Sequence, residues 1–302
     1  MYKAAPNNPE VQITPKAHVF CTKVQGSLAT VHLSRSGSLE PTLRSVLYSF
    51  YRLSSYLTCA RIEANLTLEF VIIVNPNNGP GSEPWWPNVD YVREISRLNA
   101  YSNVRTVGYV HTSYCKRSVQ DVHFDIEKYA GWSKDTRYPG LGVSGIFFDE
   151  TPNVFSKTTE GYLRAVTENA KQTIDVGGDA LVSNLYKDSQ CQHAEFPFKT
   201  IHNPGTSMDQ RLFVPGLDVA TISEICFAEF KTQEYRDWLA TSPLKREETS
   251  FMLYAVPDEE VEELIGNLKE RAGYLFVTNR KTDAYHAFGD SWKRFIAAMA
   301  AA

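Results

Sequence analysis

The chain has 302 residues, 43% of them hydrophobic and 22% charged, with a formal net charge of −4 and an isoelectric point near 6.0. That balance suits a globular protein with a sizeable core, and the lack of basic excess argues against a nucleic-acid partner. No run reaches the ~18 apolar residues of a membrane span, and the opening MYKAAPNNPEVQITPK has no apolar stretch of the signal-peptide kind.

Residues 1–68 carry scattered Ser, Thr and Pro with no sustained period and form an atypical, partly irregular N-terminal segment. Within it, Leu43–Leu57 is expected to be helical, because Leu43, Val46, Leu47, Phe50 and Tyr51 fall on one face. From Glu69 onward the chain alternates regularly. Strand-like runs fall at Phe70–Val74, Val104–Val110, Val143–Phe148, Val219–Ile222, Phe251–Ala255 and Gly273–Val277, with Phe198–His202 as a weaker seventh. They are short, continuous and rich in β-branched and aromatic residues, as parallel strands buried on both faces are. Between them lie helix-like segments at Asn88–Leu98, Val119–Trp132, Thr158–Ile174, Thr232–Ala240, Asp258–Arg271 and Ser291–Met299.

Strands alternating with helices imply βα units on a parallel sheet. Seven such units after residue 68 approach a (β/α)₈ TIM-type barrel, whose usual size is ~250 residues. The expected division is therefore 1–68 as the N-terminal segment and 69–302 as the barrel domain, with the remaining strand drawn from around Thr30–Leu33. A doubly wound open sheet competes, but neither GxGxxG nor GxxxxGK[ST] follows any strand.

Active-site groups of a barrel sit where strands end, and those positions are polar here. Asn75 follows FVIIV, His111 and Tyr114 follow GYV, Asp149-Glu150 follows GIFF, Asn203 follows KTIH, Glu224 follows VATIS, and Tyr254 lies in FMLYA. Glycoside hydrolysis uses two carboxyl groups, one to protonate the leaving oxygen and one to attack or to activate water. Asp149, Glu150 and Glu224 supply them, although Glu229 lies near enough to compete with Glu224. Alternation along a strand would turn Asp149 and Glu150 to opposite sides unless the chain bends between them. Asn75 and Asn203 each precede Pro, which suits turns as well as hydrogen bonding to sugar hydroxyls. Trp85-Trp86, in a Pro/Gly-rich loop, fits sugar stacking or packing over the mouth. The five cysteines show no CxxC spacing, so neither a zinc site nor a thioredoxin-type motif is expected. No Gly-x-Ser-x-Gly or HExxH occurs, which excludes the usual serine hydrolases and zinc proteases.

The run Val71–Gly81 (VIIVNPNNGPG) resembles the spherulin-4-like proteins, also called spherulation-specific family 4 and grouped as glycoside hydrolase family 135. Leu98–Tyr114, Asp125–Trp132, Val143–Glu150, Asn203–Gln210, Asp218–Glu224 and Gly273–Asn279 continue the resemblance in order. It implies a (β/α)₈ barrel and an endo-acting glycoside hydrolase that cuts α-1,4-linked N-acetylgalactosamine in galactosaminogalactan, without metal or organic cofactor, outside the cell or on its surface. It places the catalytic acids at Asp149, Glu150 and Glu224; the polar strand-end residues Asn75, His111, Tyr114, Asn203 and Tyr254 are expected to bind substrate beside them. The alternative is a catalytically weak carbohydrate-binding or spore-coat protein on the same scaffold. Two departures stand out. Nothing in residues 1–68 resembles the family's opening strand PLYIYP, and Tyr186–Phe198 reads as an insertion.

Overall fold

The computed structural model describes residues 16–21, 62–81, 89–185, 199–282, 284–285 and 288–301, with side chains described outside 16–21 and 175–185. Its strands are β1 (Lys16–Cys21), β2 (Glu69–Val74), β3 (Val104–His111), β4 (Gly145–Asp149), β5 (Lys199–His202), β6 (Val219–Cys226), β7 (Thr249–Tyr254) and β8 (Tyr274–Val277). Strands β2 to β8 pair in parallel and in chain order, forming a seven-stranded curled sheet. Strand β1 runs parallel to β2 over all its residues, and its Lys16 and Ala17 lie opposite Tyr274 and Leu275 of β8. The N-terminal strand is thus earlier in the chain than the expected Thr30–Leu33, which falls outside the described residues, as does the expected helix Leu43–Leu57.

Helices follow the strands as α1 (Val89–Leu98), α2 (Val119–Ser133), α3 (Lys157–Leu185), α4 (Phe227–Phe230), α5 (Gln233–Leu239), α6 (Val261–Leu268) and α7 (Trp292–Ala300). Their starts follow local chemistry. Ser118 caps α2 by accepting the Asp121 N–H, and Thr232 caps α5 by accepting the Tyr235 N–H. The segment expected as one helix from Asp258 begins with a 3₁₀ turn, Asp258–Glu260, behind Pro257. No helix among the described residues is long and apolar enough to cross a membrane.

Parallel strands need apolar side chains on both faces, and period-two alternation sorts them. Val71, Ile73, Val107, Phe147, Ile201, Val219 and Tyr274 gather inside the curl. Val110, Ile146 and Phe148 pack instead with Tyr91, Ile126, Tyr129 and Val166 from α1, α2 and α3. Close approach fixes two glycines. A β-carbon on Gly108 would meet the Tyr129 ring at 2.8 Å, and one on Gly145 would collide with the carbonyl oxygen of Lys199 and a methyl of Val107.

His202 closes β5 with no solvent exposure. Its Nε2 lies 3.0 Å from Thr167 Oγ1 on α3, and its ring meets Phe148 edge-on. Burial pushes its pKa down to about 3. The folded state therefore holds it neutral, while an unfolded chain takes up a proton near pH 6.5.

Two outcomes follow from this packing. Gly145→Ala is expected to lower stability by about 1–3 kcal/mol through overpacking against backbone, measured by denaturant unfolding. The His202 contribution is present above pH ~6.5 and is lost as pH falls toward 3, at up to ~1.4 kcal/mol per pH unit. Unfolding free energy between pH 6.5 and 4 should accordingly fall more steeply for the wild type than for His202→Gln; equal slopes would contradict the assignment.

Candidate active site

The acids lie at the C-terminal ends of the strands, opposite the buried Arg105–Glu69 pair at the starts of β3 and β2. Strand β4 ends at Asp149 because Glu150 adopts a left-handed conformation, φ +54°, which breaks the alternation that would otherwise turn the two neighbours apart. The next loop holds that bend. Thr112 donates its N–H to the Asp149 carbonyl (2.9 Å), and Tyr114 donates its N–H to the Glu150 carbonyl (2.7 Å). The Thr112 hydroxyl sits 2.8 Å from the Glu150 carbonyl oxygen. Ser113, Tyr114 and Cys115 are all left-handed themselves, and strain of that kind persists only where surrounding bonds determine it.

Strand β5 leads directly into Asn203, which is 5% exposed. Its N–H donates to the Phe148 carbonyl and its carbonyl accepts from Thr151, so it is held against β4 from both sides. Gly205, at φ +67°, then turns the chain so that its N–H reaches the Thr221 carbonyl and its carbonyl accepts the Glu224 N–H. The β6–β7 register shifts between Thr221 and Ser223. This irregularity carries β6 on to Cys226 rather than ending it at Ile222, so Glu224 lies within the strand.

These turns bring two carboxylates to one amide. Asn203 Nδ2 donates to Asp149 Oδ1 at 2.8 Å and to Glu224 Oε2 at 2.6 Å, while Asn203 Oδ1 accepts the Gly205 N–H at 3.0 Å. The side-chain amide orientation is therefore satisfied at both ends. Each carboxylate has a tyrosine on its other oxygen: Tyr109 donates to Asp149 Oδ2 at 2.6 Å, and Tyr285 donates to Glu224 Oε1 at 2.7 Å. The Glu150 N–H adds a third bond to Asp149, on Oδ1 at 2.8 Å.

Burial raises the Glu224 pKa, and the Asp149 charge raises it further, against opposing hydrogen bonds from Asn203 and Tyr285. The phenols of Tyr109 and Tyr285 are pushed upward, first by burial and then by the charge of the acid each one touches, so both act as O–H donors at neutral pH. A buried acid with a raised pKa beside a second carboxylate is the arrangement of a proton donor paired with an anion.

The remaining expected residues are distributed around this cluster. His111, opposite Asp149 in the β3–β4 register, has Nδ1 3.0 Å from the Asn78 carbonyl oxygen. Tyr254, opposite Cys226, has its phenol raised first by burial and then by the charges of Cys226, Glu224 and Glu229. Tyr114 is 60% exposed. The Asn75 side chain is turned to its own loop, where Oδ1 accepts the Gly79 N–H at 3.0 Å, as expected of turn chemistry. Glu229 sits exposed on α4, and the hydrogen bonds that join Asp149 to a partner acid run to Glu224. Trp85, Trp86 and Tyr186–Phe198 lie outside the described residues. Cys115 and Cys226 are free thiols. Among the described residues, no group of three or more His, Cys, Asp or Glu is placed to hold a metal ion.

Sequence reading alone did not single out Tyr109 and Tyr285. Tyr109 shares the inward-facing period of Val107 and Phe147, a signal that a strand-by-strand facing assignment would have exposed. Tyr285 sits in the loop after β8 and carries no local signal.

Fold and site define an α/β protein whose parallel curled sheet joins two carboxylates at the C-terminal ends of its strands. The family model for Spherulation-specific family 4 matches residues 56–299, and the chain belongs to that family. It is 32% identical over 203 residues to Spherulin-4 of Physarum polycephalum, a match covering 60% of this chain and 57% of that protein. The chain thus spans less than two thirds of that curated relative's length. Among solved structures it is similar to Aspergillus clavatus Sph3 in complex with GalNAc, with a TM-score of 0.71 and 29% identity over 95% of this chain and 99% of that one.

Because the Asn203 bond opposes the rise in the Glu224 pKa, Asn203→Leu is expected to raise that pKa further. It should also cost about 1–3 kcal/mol of stability by leaving buried carboxylate oxygens without their donor. Carbon-detected NMR of the Glu224 carboxyl and denaturant unfolding measure the two effects; an unchanged carboxyl titration would refute the bridging role.

Proposed function

We propose that the protein is an endo-acting glycoside hydrolase that cleaves α-1,4-linked N-acetylgalactosamine in a galactosaminogalactan-type polysaccharide. The observation that carries this reading is the single amide nitrogen, Asn203 Nδ2, bonded at 2.8 and 2.6 Å to Asp149 and Glu224. The GalNAc in the Sph3 structure supports an amino-sugar substrate. We place the catalytic domain at 69–302 on a (β/α)₈ barrel that β1 completes, working on polysaccharide outside the cell or at its surface.

Glu224 is the acid/base group, since burial and the neighbouring charge favour its protonated form. Asp149 is the nucleophile, held in place by three donors. Both carboxylates bond to one nitrogen, at 2.8 and 2.6 Å, and so form a close pair. Retaining enzymes keep their carboxyls ~5–5.5 Å apart, whereas inverting ones need ~6.5–9.5 Å to admit a water molecule between acid and sugar. Retention is therefore the expected outcome. Glu150 adds negative charge near Tyr109 and supports the oxocarbenium-like transition state. His111, Tyr114 and Tyr254 line the sugar subsites, with the exposed Tyr114 ring as a stacking surface, while Asn75 holds its own loop and Asn203 positions the two acids. The chemistry runs on these side chains without metal or organic cofactor.

The wild type should release oligosaccharides from α-1,4-linked N-acetylgalactosamine polymer, with the α-anomer appearing first by NMR. Glu224→Gln should reduce turnover at least ~10³-fold with unchanged circular dichroism. Near-normal turnover in that variant would overturn the assignment. Binding of the polymer by the wild type without release of oligosaccharides would favour a carbohydrate-binding role instead.

A further inference from the structure

The two oxygens of Glu224 have partners of different chemistry. Oε2 faces the amide nitrogen of Asn203 at 2.6 Å, and an amide N–H can only donate. That oxygen is therefore reserved as an acceptor, and a proton on Glu224 belongs on Oε1. Oε1 faces the Tyr285 hydroxyl at 2.7 Å, and a hydroxyl can both donate and accept. We propose that Tyr285 is a positioning residue for Glu224, donating to Oε1 when the carboxylate is charged and turning to accept from Oε1 when that oxygen carries the catalytic proton. This rests on reading Glu224 as the acid/base group.

The consequence for the reaction is specific. In the first half, the Oε1 proton passes to the glycosidic oxygen as its bond to C1 breaks and Asp149 bonds to C1. Glu224 is left ionised, and the Tyr285 hydroxyl turns to donate to it. In the second half, water gives a proton to Oε1 while its oxygen bonds to C1 and Asp149 departs. The Tyr285 hydroxyl then accepts again. Only the hydroxyl rotor has to move, because the ring is held against Phe276, 5.7 Å between centroids. Asp149 also carries a tyrosine, Tyr109 on Oδ2, but takes two N–H donors on Oδ1 where Glu224 takes one on Oε2.

The charge that bears on Glu224 is that of Asp149 on β4, opposed by hydrogen bonds from Asn203 and Tyr285; the neutral phenols of Tyr109 on β3, Tyr254 on β7 and Tyr285 after β8 face the Glu224 charge in turn. Of these, Tyr285 alone has its hydroxyl on Oε1 among the hydrogen bonds described.

The test compares wild type with Tyr285→Phe, using ¹³C NMR of the Glu224 carboxyl beside kinetics on α-1,4-linked N-acetylgalactosamine oligomers. Loss of the donor should raise the Glu224 midpoint by about one pH unit and move the alkaline limb of kcat/KM upward equally. It should lower kcat roughly 10- to 100-fold with KM within about twofold. In the wild type, the Tyr285 Cζ resonance should titrate with the same midpoint as the Glu224 carboxyl, a measurement that stands even if the variant does not fold. An unmoved Glu224 midpoint in the variant, or a Tyr285 Cζ resonance insensitive to that midpoint, overturns the proposal. Hydrolysis that survives Glu224→Gln while both resonances track each other would instead reject the functional reading and leave the hydroxyl pairing in place.

Discussion

Two carboxylates within hydrogen-bond reach of one nitrogen repel each other. At an effective dielectric constant near 20 and a separation of about 5 Å, two full negative charges would cost about 3 kcal/mol. The protein meets this cost in two ways. It directs donors at both groups, Asn203 to each and a tyrosine to the far oxygen of each. It also leaves Glu224 the option of holding a proton, which burial and the Asp149 charge both favour. Unequal environments around a close pair assign unequal roles, so the repulsion that threatens the site also makes it useful.

The rest of the sheet serves to hold that separation. A strand delivers its side chains at fixed intervals, and regular geometry alone would not bring β4, β5 and β6 to one nitrogen. The left-handed Glu150, the left-handed Gly205 and the irregularity in β6 each redirect one strand end. Non-glycine residues in such conformations cost of order 1–3 kcal/mol. The Thr112 and Tyr114 bonds to the carbonyls of Asp149 and Glu150 help offset this. Beneath them, the inward residues Ile73, Val107, Phe147 and Ile201 fill the curl, and glycine at 108 and 145 lets a helix ring and a neighbouring strand approach closely.

Family membership and the neighbouring Sph3 structure agree with this reading at the level of the scaffold. Chemistry on this scaffold is set by particular atoms, because one fold supports many reactions. Here those atoms are the two acids, the amide between them and the two phenols, supplied by β3, β4, the turn after β5, β6 and the loop after β8.

The parallel βα plan and the strand-end position of the acids are legible in the residues themselves. Buried parallel strands are written as continuous apolar runs, and a polar residue at the end of such a run marks the rim; Asp149 and Glu224 were legible for that reason. Other features depended on contacts between distant residues. KAHVFC, with Lys16 and His18 interrupting its apolar character, does not read as a buried strand, yet it pairs along β2. Thr221–Ser223 contains no Gly or Pro to signal a shift of register. Tyr109 reads as core within an apolar strand, and Tyr285 lies 61 residues from the acid it touches. The tertiary structure alone decided which amide joins the acids and which hydroxyl faces each oxygen, because hydrogen bonds at 2.6–2.8 Å depend on where strand ends meet in space, and residue spacing along the chain does not encode that.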